Sequence, residues 1–440
     1  MAYSLEWTEA KCDKYDYLMA AFSGAVSGVI DIFFVGAPGM SKLGALTDNA
    51  ADNLVMKFAK MNGWSPRAGK EGSISSAIGF LEKKFPVNYD HNHTVAVDGA
   101  FKMSAANHHY KSLGHSPSII GLFFSILDQF RGTSSFLSNG ALITIKNESS
   151  RSLLQGHNLP AKVFSGFCNW LGHLISDLSG SSGGRGKGTG RGSGITIPFM
   201  ELFQLCNFGK FQVGQDLNTL ATVMTKVFQE GYDMRFGAAM AIPVFLNEMM
   251  IRAMWVVRQR FFKNKDWKDC VPSEKHADLR IMLIVGYATF CAIDGTDAAL
   301  KSGGNAVSFV LRLNIIGWAR LIALVFKELR IRYGEKVMAA LKSFLAEVGL
   351  LLTQAERQLL DEYQKRLEKL DLDLHLLLTQ LIEALEHEYR LIYQALDDSL
   401  NETLSLEERA NHSVTLARNC AVPEEKIMKN NDDLDKFFLN

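Results

Sequence analysis

The chain has 440 residues, of which 47% are hydrophobic and 21% are charged, so disordered, collagen-like and purely coiled-coil proteins are excluded. The 47 basic and 47 acidic side chains balance, so the total charge gives no reason to expect a nucleic-acid partner. Residues 353–440 hold 10 Lys and Arg against 19 Asp and Glu, a net −9, which leaves +9 on the preceding residues. We therefore predict a basic body with an acidic tail.

The six cysteines are scattered and form no C-x-x-C pair, so we predict reduced thiols and a cytoplasmic environment. The N-terminus mixes both charges and lacks the order of a signal peptide. No stretch of 18 residues is both fully apolar and free of charge, so the sequence predicts no plain membrane-spanning helix. The expected location is the cytoplasm or the inner membrane, the latter by peripheral or partial association.

The first apolar segment covers residues 17–36 and carries small residues at Ser23, Gly24, Ser27 and Gly28, which lets another helix approach closely. Asp31 interrupts this segment. A helix is predicted around 49–61, and residues 88–103 alternate as a short strand or an extended loop.

Two further helices are predicted in the first half of the chain. One starts at Ser116-Pro117, because serine is a favoured N-cap and proline a favoured first helical residue. The other runs from Leu159 to Leu178 and ends in the glycine-rich residues 179–194.

The second half is helical in pattern. Apolar segments occupy 236–256, 281–293 and 306–326, and long amphipathic helices are predicted between 335 and 400. We expect a mainly α-helical bundle with a buried metal site in its N-terminal part. The predicted organisation is a metal-site region at 1–205, a supporting and oligomerising region at 206–400 and a polar tail at 401–440.

Histidines are concentrated in one part of the chain, since seven of the 11 fall between residues 91 and 173. Histidine is the commonest metal ligand, and carboxylate is its usual companion in hydrolytic zinc sites. His173 and Asp177 lie four residues apart on a predicted helix and so share one face. His108, His109 and His115 come directly before the helix predicted to start at Ser116.

Asp31 is the third notable feature, because a buried unpaired carboxylate in an apolar helix requires a cationic or metal partner. An early Asp, HHYKSLGHS, and LGHLISDLSG leading to ITIPF together resemble the bacterial membrane-bound metal-dependent hydrolases, which look distantly related to zinc-dependent phospholipase C. The likeness covers residues 17–200. The first motif is reduced to Asp31, and the histidines of the second are one residue further apart than in that family.

The resemblance implies that Asp31, His109, His115, His173 and Asp177 ligate one or two divalent ions, with Pro198 closing the pattern. Zinc is the expected ion, and manganese or iron also fit. Asp90 or Asp98 is the candidate general base. The implied activity is hydrolysis of a phosphoester in an anionic small molecule or lipid, at or near a membrane surface and in a homo-oligomer.

Two alternatives stay open at this point. The first alternative to the hydrolase is a helical, membrane-associated scaffold or assembly protein without enzymatic activity. The second is a nuclease that uses the same site. The glycine-rich segment fails the G-x-x-x-x-G-K-[ST] phosphate-loop pattern, because Gly188 follows Lys187. Its basic residues favour either a surface linker or a loop that contacts an anionic substrate.

Overall fold

A computed structural model describes residues 10–66, 68–69, 72–88, 103, 106–146, 154, 159–180, 193–333, 365, 390–391, 394–401, 403–419, 422, 424 and 427–429. The fold is mainly α-helical with small sheets, as predicted. Most of the strand or loop predicted at 88–103, residues 181–192 of the glycine-rich segment, and most of the amphipathic helices predicted at 335–400 lie outside the described residues.

The N-terminal helices start at side chains that accept hydrogen bonds from backbone N–H groups, as helix N-caps do. Helix α1 begins after a capping box between Asp13 and Asp16 and continues as one π-helical turn. Ser41 and Ser73 cap the next two helices. The bounds are α1 Lys14–Ile30 with its π-helical turn Asp31–Val35, α2 Lys42–Met61 and α3 Ile74–Lys84.

The next elements carry the histidines, and one predicted boundary there is wrong. Helix α5 starts after Ser118, whose Oγ accepts from the Gly121 N–H at 3.1 Å, and not at Ser116. Ser116 has another role, because it donates a hydrogen bond to Glu201. The elements are α4 His108–Lys111, a 3-10 turn Leu113–His115, α5 Ile119–Arg131 and α6 Leu159–Asp177.

A β-hairpin between α5 and α6 was not predicted. Strand β1, Thr133–Ser138, pairs antiparallel with β2, Ala141–Lys146. Asn139 and Gly140 form the turn with φ values of 47° and 84°, the left-handed region that an Asn-Gly hairpin turn requires. The hairpin packs against α5 and completes the first half of the described fold.

The second half begins with a 3-10 helix and a short hairpin and then becomes fully helical. The elements are the 3-10 helix Met200–Leu205, β3 Phe211–Val213, β4 Asp216–Asn218, α7 Leu220–Gln229, α8 Met234–Val257, α9 Ala277–Ser302, α10 Ala306–Arg312, α11 Ile315–Tyr333 and α12 Leu406–Asn419.

Helix α1 packs closely against α9, as its small residues predict. A Cβ at Gly24 would lie 2.1 Å from the Gly286 carbonyl oxygen, so no larger residue fits there without a shift of backbone. A Cβ at Gly28 would lie 3.0 Å from Cγ2 of the Ile293 side chain. Because contacts advance along both helices together, α1 and α9 run in the same direction. Helix α8 also packs on α1, where Ser23 Oγ donates to Asn247 Oδ1 at 2.8 Å.

Three helices of the described chain are long and apolar enough to cross a membrane by length and composition: Lys14–Val35, Met234–Phe262 and Ala277–Ser302. Helices α10 and α11 meet at an angle of 75° and make a fourth candidate if they form one broken span. These helices carry a few charged side chains within apolar stretches, so none of them contains a charge-free apolar window of 18 residues.

One hydrophobic core contains residues from both sides of position 205. Val35, Tyr110 and Met200 pack with Phe228 and Phe236 in one buried cluster. This cluster connects the histidine-bearing elements to the starts of α7 and α8. The functional division at residues 205 and 400 remains a prediction.

Candidate metal centre

Four of the five predicted ligands come together in a buried site. Asp177 Oδ2 lies 3.2 Å from His109 Nε2, 3.7 Å from His115 Nε2 and 3.1 Å from His173 Nε2. His115 Nε2 and His173 Nε2 are 3.0 Å apart. We call these residues, His109, His115, His173 and Asp177, the His/Asp cluster.

The outer nitrogen of each imidazole is held by the protein. His173 Nδ1 lies 3.0 Å from the Phe85 carbonyl oxygen, and His109 Nδ1 lies 3.2 Å from the carbonyl oxygens of both Ser193 and Gly194. A carbonyl oxygen only accepts, so Nδ1 carries the hydrogen in both rings. In the neutral imidazole, Nε2 then presents its lone pair to the centre of the cluster.

This orientation makes the centre electron-rich. Nε2 lone pairs of His109 and His173 face the carboxylate oxygen of Asp177, and Asp177 Oδ2 accepts no well-aligned hydrogen bond among the described residues. Such an arrangement is stable only with a cation at its centre, either a proton or a metal ion. Neighbouring ligand atoms of a tetrahedral ion with bonds of about 2.0–2.1 Å are about 3.3–3.4 Å apart, similar to the spacings in the cluster.

The protonation of the cluster follows from burial and from Asp177. Burial lowers the pKa of His115 well below its usual value, and the neighbouring His173 and His109 act in the same direction. Burial also opposes a charge on His173, but the Asp177 carboxylate outweighs this and raises the pKa of His173. Burial alone would raise the pKa of Asp177, yet His173 and His109 hold it well below its ordinary value. Without a metal ion, this pairing favours a proton on His173 opposite the Asp177 carboxylate.

Close backbone approaches position these side chains. A Cβ at Gly172 would lie 2.3 Å from Cγ of the Phe85 ring, so glycine on α6 is what allows Phe85 to reach His173. A Cβ at Gly194 would lie 2.7 Å from the Leu178 carbonyl oxygen. The Gly194 N–H donates to Asp233 Oδ2 at 2.7 Å, which fixes this segment against the start of α8.

His108 is a further candidate ligand. Its ring stands 3.9 Å from the His109 ring, centroid to centroid. One ligand atom from each of His108, His109 and His115 lies within 4.8 Å of the others, and the same holds for His115, His173 and Asp177. His115 belongs to both groups, so the described residues offer ligands for one ion or for two adjacent ions.

Asp31 does not belong to the His/Asp cluster, which corrects the predicted ligand set. The groups of candidate ligands in the described chain do not include it. Its Oδ1 accepts a hydrogen bond from Asn314 Nδ2 at 2.6 Å. Asp294, in the same buried region, accepts from Trp318 Nε1 at 2.8 Å and from the backbone N–H of Asn314. In place of the predicted cation or metal ion, Asp31 therefore has a neutral amide 283 residues away as its donor.

Sequence reasoning missed Glu201, a buried carboxyl group close to the His115 segment. Its Oε1 accepts from Ser116 Oγ at 2.6 Å and from Ser118 Oγ at 3.0 Å. Its Oε2 is buried and has no hydrogen-bond partner among the described residues. Burial raises the pKa of Glu201. The only sequence signal near it is Pro198, three residues earlier; Asp90 and Asp98, the predicted bases, lie outside the described residues.

Comparison with known proteins adds no family: no family model matches the chain, and no curated protein or solved structure is significantly similar to it. The resemblance to membrane-bound metal-dependent hydrolases therefore stays a prediction that rests on the motifs themselves.

Proposed function

We propose that the chain is a divalent-metal-dependent hydrolase that cleaves a phosphoester at or near a membrane. The observation that carries this proposal is the His/Asp cluster, in which Nδ1 atoms point outward to backbone carbonyls and Nε2 atoms point inward to Asp177. Metal-binding histidines are held in this way in known sites, where the outer hydrogen bond fixes the ring and its tautomer.

The residues fit a catalytic ion better than a purely structural one. His115, His173 and Asp177 form a set of three, and catalytic zinc sites combine three protein ligands with one open position. His109 Nε2 lies 3.2 Å from Asp177 Oδ2, and His109 would add a ligand to this set or hold a second ion together with His108. When bound, such an ion lowers the pKa of a water ligand to about 7 and polarises a phosphoryl oxygen.

The chain's own contribution is to fix the ligands and keep the site dry. Backbone carbonyls orient His109 and His173, and Ser112 Oγ lies 2.8 Å from His115 Nδ1. The four cluster side chains are almost fully buried, so electrostatic attraction to an ion is screened little by water. Zinc is the favoured ion for this mixed imidazole and carboxylate set, since both ligand types suit it.

A lipid or other membrane-proximal substrate is supported by the apolar outer surface of the helices. On α1, the exposed apolar side chains Leu18, Phe22 and Val29 lie on one side of the helix, and Phe33 continues this surface in the π-helical turn. Exposed patches of this kind mark contact with a membrane or another apolar surface. A phosphoester carried by a lipid would then be available to the His/Asp cluster.

Metal content tests the binding part of this proposal. We expect the full-length chain, purified in detergent, to hold close to stoichiometric zinc, and His173→Ala to lose it. His412→Ala is the matched control, because the His412 side chain is 38% exposed and lies 3.6 Å from Asp398, outside the His/Asp cluster. Equal metal in His173→Ala and His412→Ala would contradict the proposed centre.

Product release tests the catalytic part: inorganic phosphate is measured for phosphatidic acid, and the aryl alcohol is measured for a soluble aryl phosphodiester. The zinc-loaded chain is mixed with vesicles of phosphatidylcholine containing phosphatidic acid, and with a soluble aryl phosphodiester. We expect hydrolysis of one of these by the unaltered chain and by His412→Ala, and none by His173→Ala. Metal-loaded protein that cleaves neither and instead assembles on vesicles would favour the scaffold alternative.

A further inference from the structure

The bundle of α1, α8, α9 and α11 has two chemically different ends. At one end lie the start of α1, the end of α8 and the start of α9. Gln259 Nε2 donates to Asp278 Oδ2 at 2.7 Å, and Arg258 Nε lies 2.5 Å from Asp16 Oδ1. Helix α11 finishes at the same end, where Arg280 pairs with Glu328 at 2.6 Å.

This end is rich in basic side chains. We define the basic end as residues 258–276, which connect α8 to α9, together with the start of α1 and the last turn of α11. The connection contains more basic than acidic residues: Arg258, Arg260, Lys263, Lys265, Lys268 and Lys275, against Asp266, Asp269 and Glu274. Arg330 and Arg332 add two basic residues from the last turn of α11.

Aromatic side chains project from the same end. Phe261, Phe262 and Trp267 are 64%, 67% and 62% exposed, although aromatic side chains of this size usually find apolar cover. The Arg260 guanidinium lies 5.5 Å from the centre of the Trp267 ring. Aromatic and basic side chains side by side at the end of an apolar helix match the headgroup region of a bilayer with anionic lipids.

The opposite end of the bundle carries the His/Asp cluster. Val35, at the end of the π-helical turn, and Phe236, in the first turn of α8, share a buried core with Tyr110, the residue after His109. Asp233, the N-cap of α8, binds the backbone of Gly194. The connection from α1 to α2 at this end, residues 36–41, contains no charged residue.

The helices between the two ends have the length and surface of membrane spans. The three candidate spans are 22, 29 and 26 residues long, against about 20 residues needed to cross the hydrocarbon core. Phe245 and Met249 of α8 are 62% and 48% exposed, so α8 as well as α1 presents an apolar outer surface. A lipid bilayer is the partner that fits both the apolar outer surface of α1 and α8 and the adjoining basic end.

We propose that the bundle spans a bilayer with its basic end at the cytoplasmic face and the His/Asp cluster at the opposite face. Short loops rich in Lys and Arg stay on the cytoplasmic side, and the connection of residues 258–276 is such a loop. This orientation in the membrane does not depend on the proposed hydrolase activity. Only the consequence that the substrate is reached from the non-cytoplasmic side rests on the proposed function.

Single-cysteine labelling in intact cells tests this orientation. Lys268→Cys places a thiol at the basic end, where the lysine side chain is 78% exposed. Asp216→Cys places one on the exposed β3–β4 hairpin, whose Val213 packs against the core next to the His/Asp cluster. Both variants are made in the full-length chain, and the unsubstituted chain gives the background from native cysteines.

With a membrane-impermeant maleimide added to intact cells, we expect Asp216→Cys to react at least tenfold more than Lys268→Cys. After lysis, the two should react equally. The reverse pattern, or equal reaction of both variants in intact cells, overturns the orientation. A variant that does not react even after lysis is replaced by its neighbour, Gln212→Cys or Lys265→Cys.

The outcome is separable from that of the proposed function. In the His173→Ala background, we expect the same labelling pattern although metal is lost. Correct orientation without metal would contradict the hydrolase alone, whereas metal binding with reversed labelling would contradict the topology alone.

Discussion

Two buried polar clusters in this chain differ in the direction in which their N–H donors point. Around Asp31 and Asp294, the donors point inward: Asn314 Nδ2 donates to Asp31, and Trp318 Nε1 donates to Asp294. In the His/Asp cluster, the ring N–H groups of His109 and His173 point outward to backbone carbonyls. In the first cluster, N–H donors reach the carboxyl groups, whereas in the second the ring N–H groups turn away from the Asp177 carboxylate.

The difference separates a structural cluster from a binding site. Carboxylates that receive donors from the protein need no ligand and serve to hold helices together. Converging imidazole and carboxylate lone pairs need a cation. Burial keeps water away from these lone pairs, and the backbone hydrogen bonds fix their direction, so the protein itself cannot satisfy them. We therefore expect substitutions in the two clusters to affect different measurements, one metal content and the other stability.

Asp177→Asn is expected to have the largest effect on metal binding. The amide keeps the size of the side chain but removes the charge at the centre of three imidazoles, so metal content should fall to below about a tenth of that of the unaltered chain. Elemental analysis of the purified protein measures this. Asp216→Asn, on an exposed strand, is the matched control and should keep its metal. Retention of metal by Asp177→Asn would place the ion elsewhere.

Asn314→Ala is expected to act on stability and leave metal content unchanged. It removes the side-chain donor to Asp31 and leaves a buried carboxyl group without it, at a cost of about 3 kcal/mol. Unfolding in detergent, followed by circular dichroism, measures the loss. Asn305→Ala removes one N-cap bond from α10 and should cost only about 1 kcal/mol. Equal losses for the two variants would argue against the Asp31 contact.

The pH dependence of metal affinity is the next test. Because the pKa of His173 is raised, its proton must leave before an ion binds, whereas His115 is already neutral. Affinity should rise about tenfold per pH unit until His173 loses its proton, and then level off. Titration calorimetry with zinc between pH 5.5 and 8.5, in the same buffer series, checks this. A flat profile would show that no proton occupies the centre.

Stability of the metal-free chain should follow the opposite course. The raised pKa of His173 stabilises the fold fully below the usual value of 6.5, and this contribution is lost as pH rises through the folded-state value. The lowered pKa of Asp177 stabilises the fold above the usual 3.8, and this contribution is lost as pH falls through the folded-state value. The pair of His173 and Asp177 therefore stabilises the fold most above pH 3.8 and below pH 6.5. Thermal unfolding of chelator-treated protein across this range measures the contribution.

Gly172→Ala should have a smaller effect than the changes described above. The added methyl group displaces the Phe85 ring and with it the carbonyl that orients His173, so zinc affinity should fall about three- to tenfold. Gly166→Ala on the same helix is the control, since its Cβ meets only side-chain atoms at 3.2 Å or more. Competition with a fluorescent chelator resolves changes of this size. Indistinguishable affinities would show that Phe85 does not position His173.

The sequence predicted the side chains of the His/Asp cluster better than their surroundings. His173 and Asp177 share a face because of their helical spacing, and the spacing is visible in the letters. The carbonyls of Phe85, Ser193 and Gly194 are not visible, because every residue has one and only the fold selects which are used. Glu201 was missed for a similar reason, since its contacts to Ser116 and Ser118 cross more than 80 residues.

Asp31 shows where residue-level reasoning stops. The prediction that Asp31 has a cationic or metal partner was wrong, because the donor found at Asp31 among the described residues is the neutral amide of Asn314. The family resemblance, which made Asp31 a metal ligand, supplied the wrong partner as well. The hairpin at Asn139-Gly140 was missed although its turn signal is strong, because the neighbouring serines gave its first strand no alternation. The predicted oligomer, substrate and ion identity stay predictions.

The contact of Gly24 with Gly286 also has a consequence for biogenesis. These residues are 262 positions apart, so a ribosome adding about 5–20 residues per second needs about 13–50 s to deliver the second helix after the first. During that interval α9 is not yet present to pack on the side of α1 that contains Gly24, and the histidine-bearing segment has already emerged. In newly made chains, the Gly24 side of α1 therefore stays uncovered by α9 until that late partner arrives.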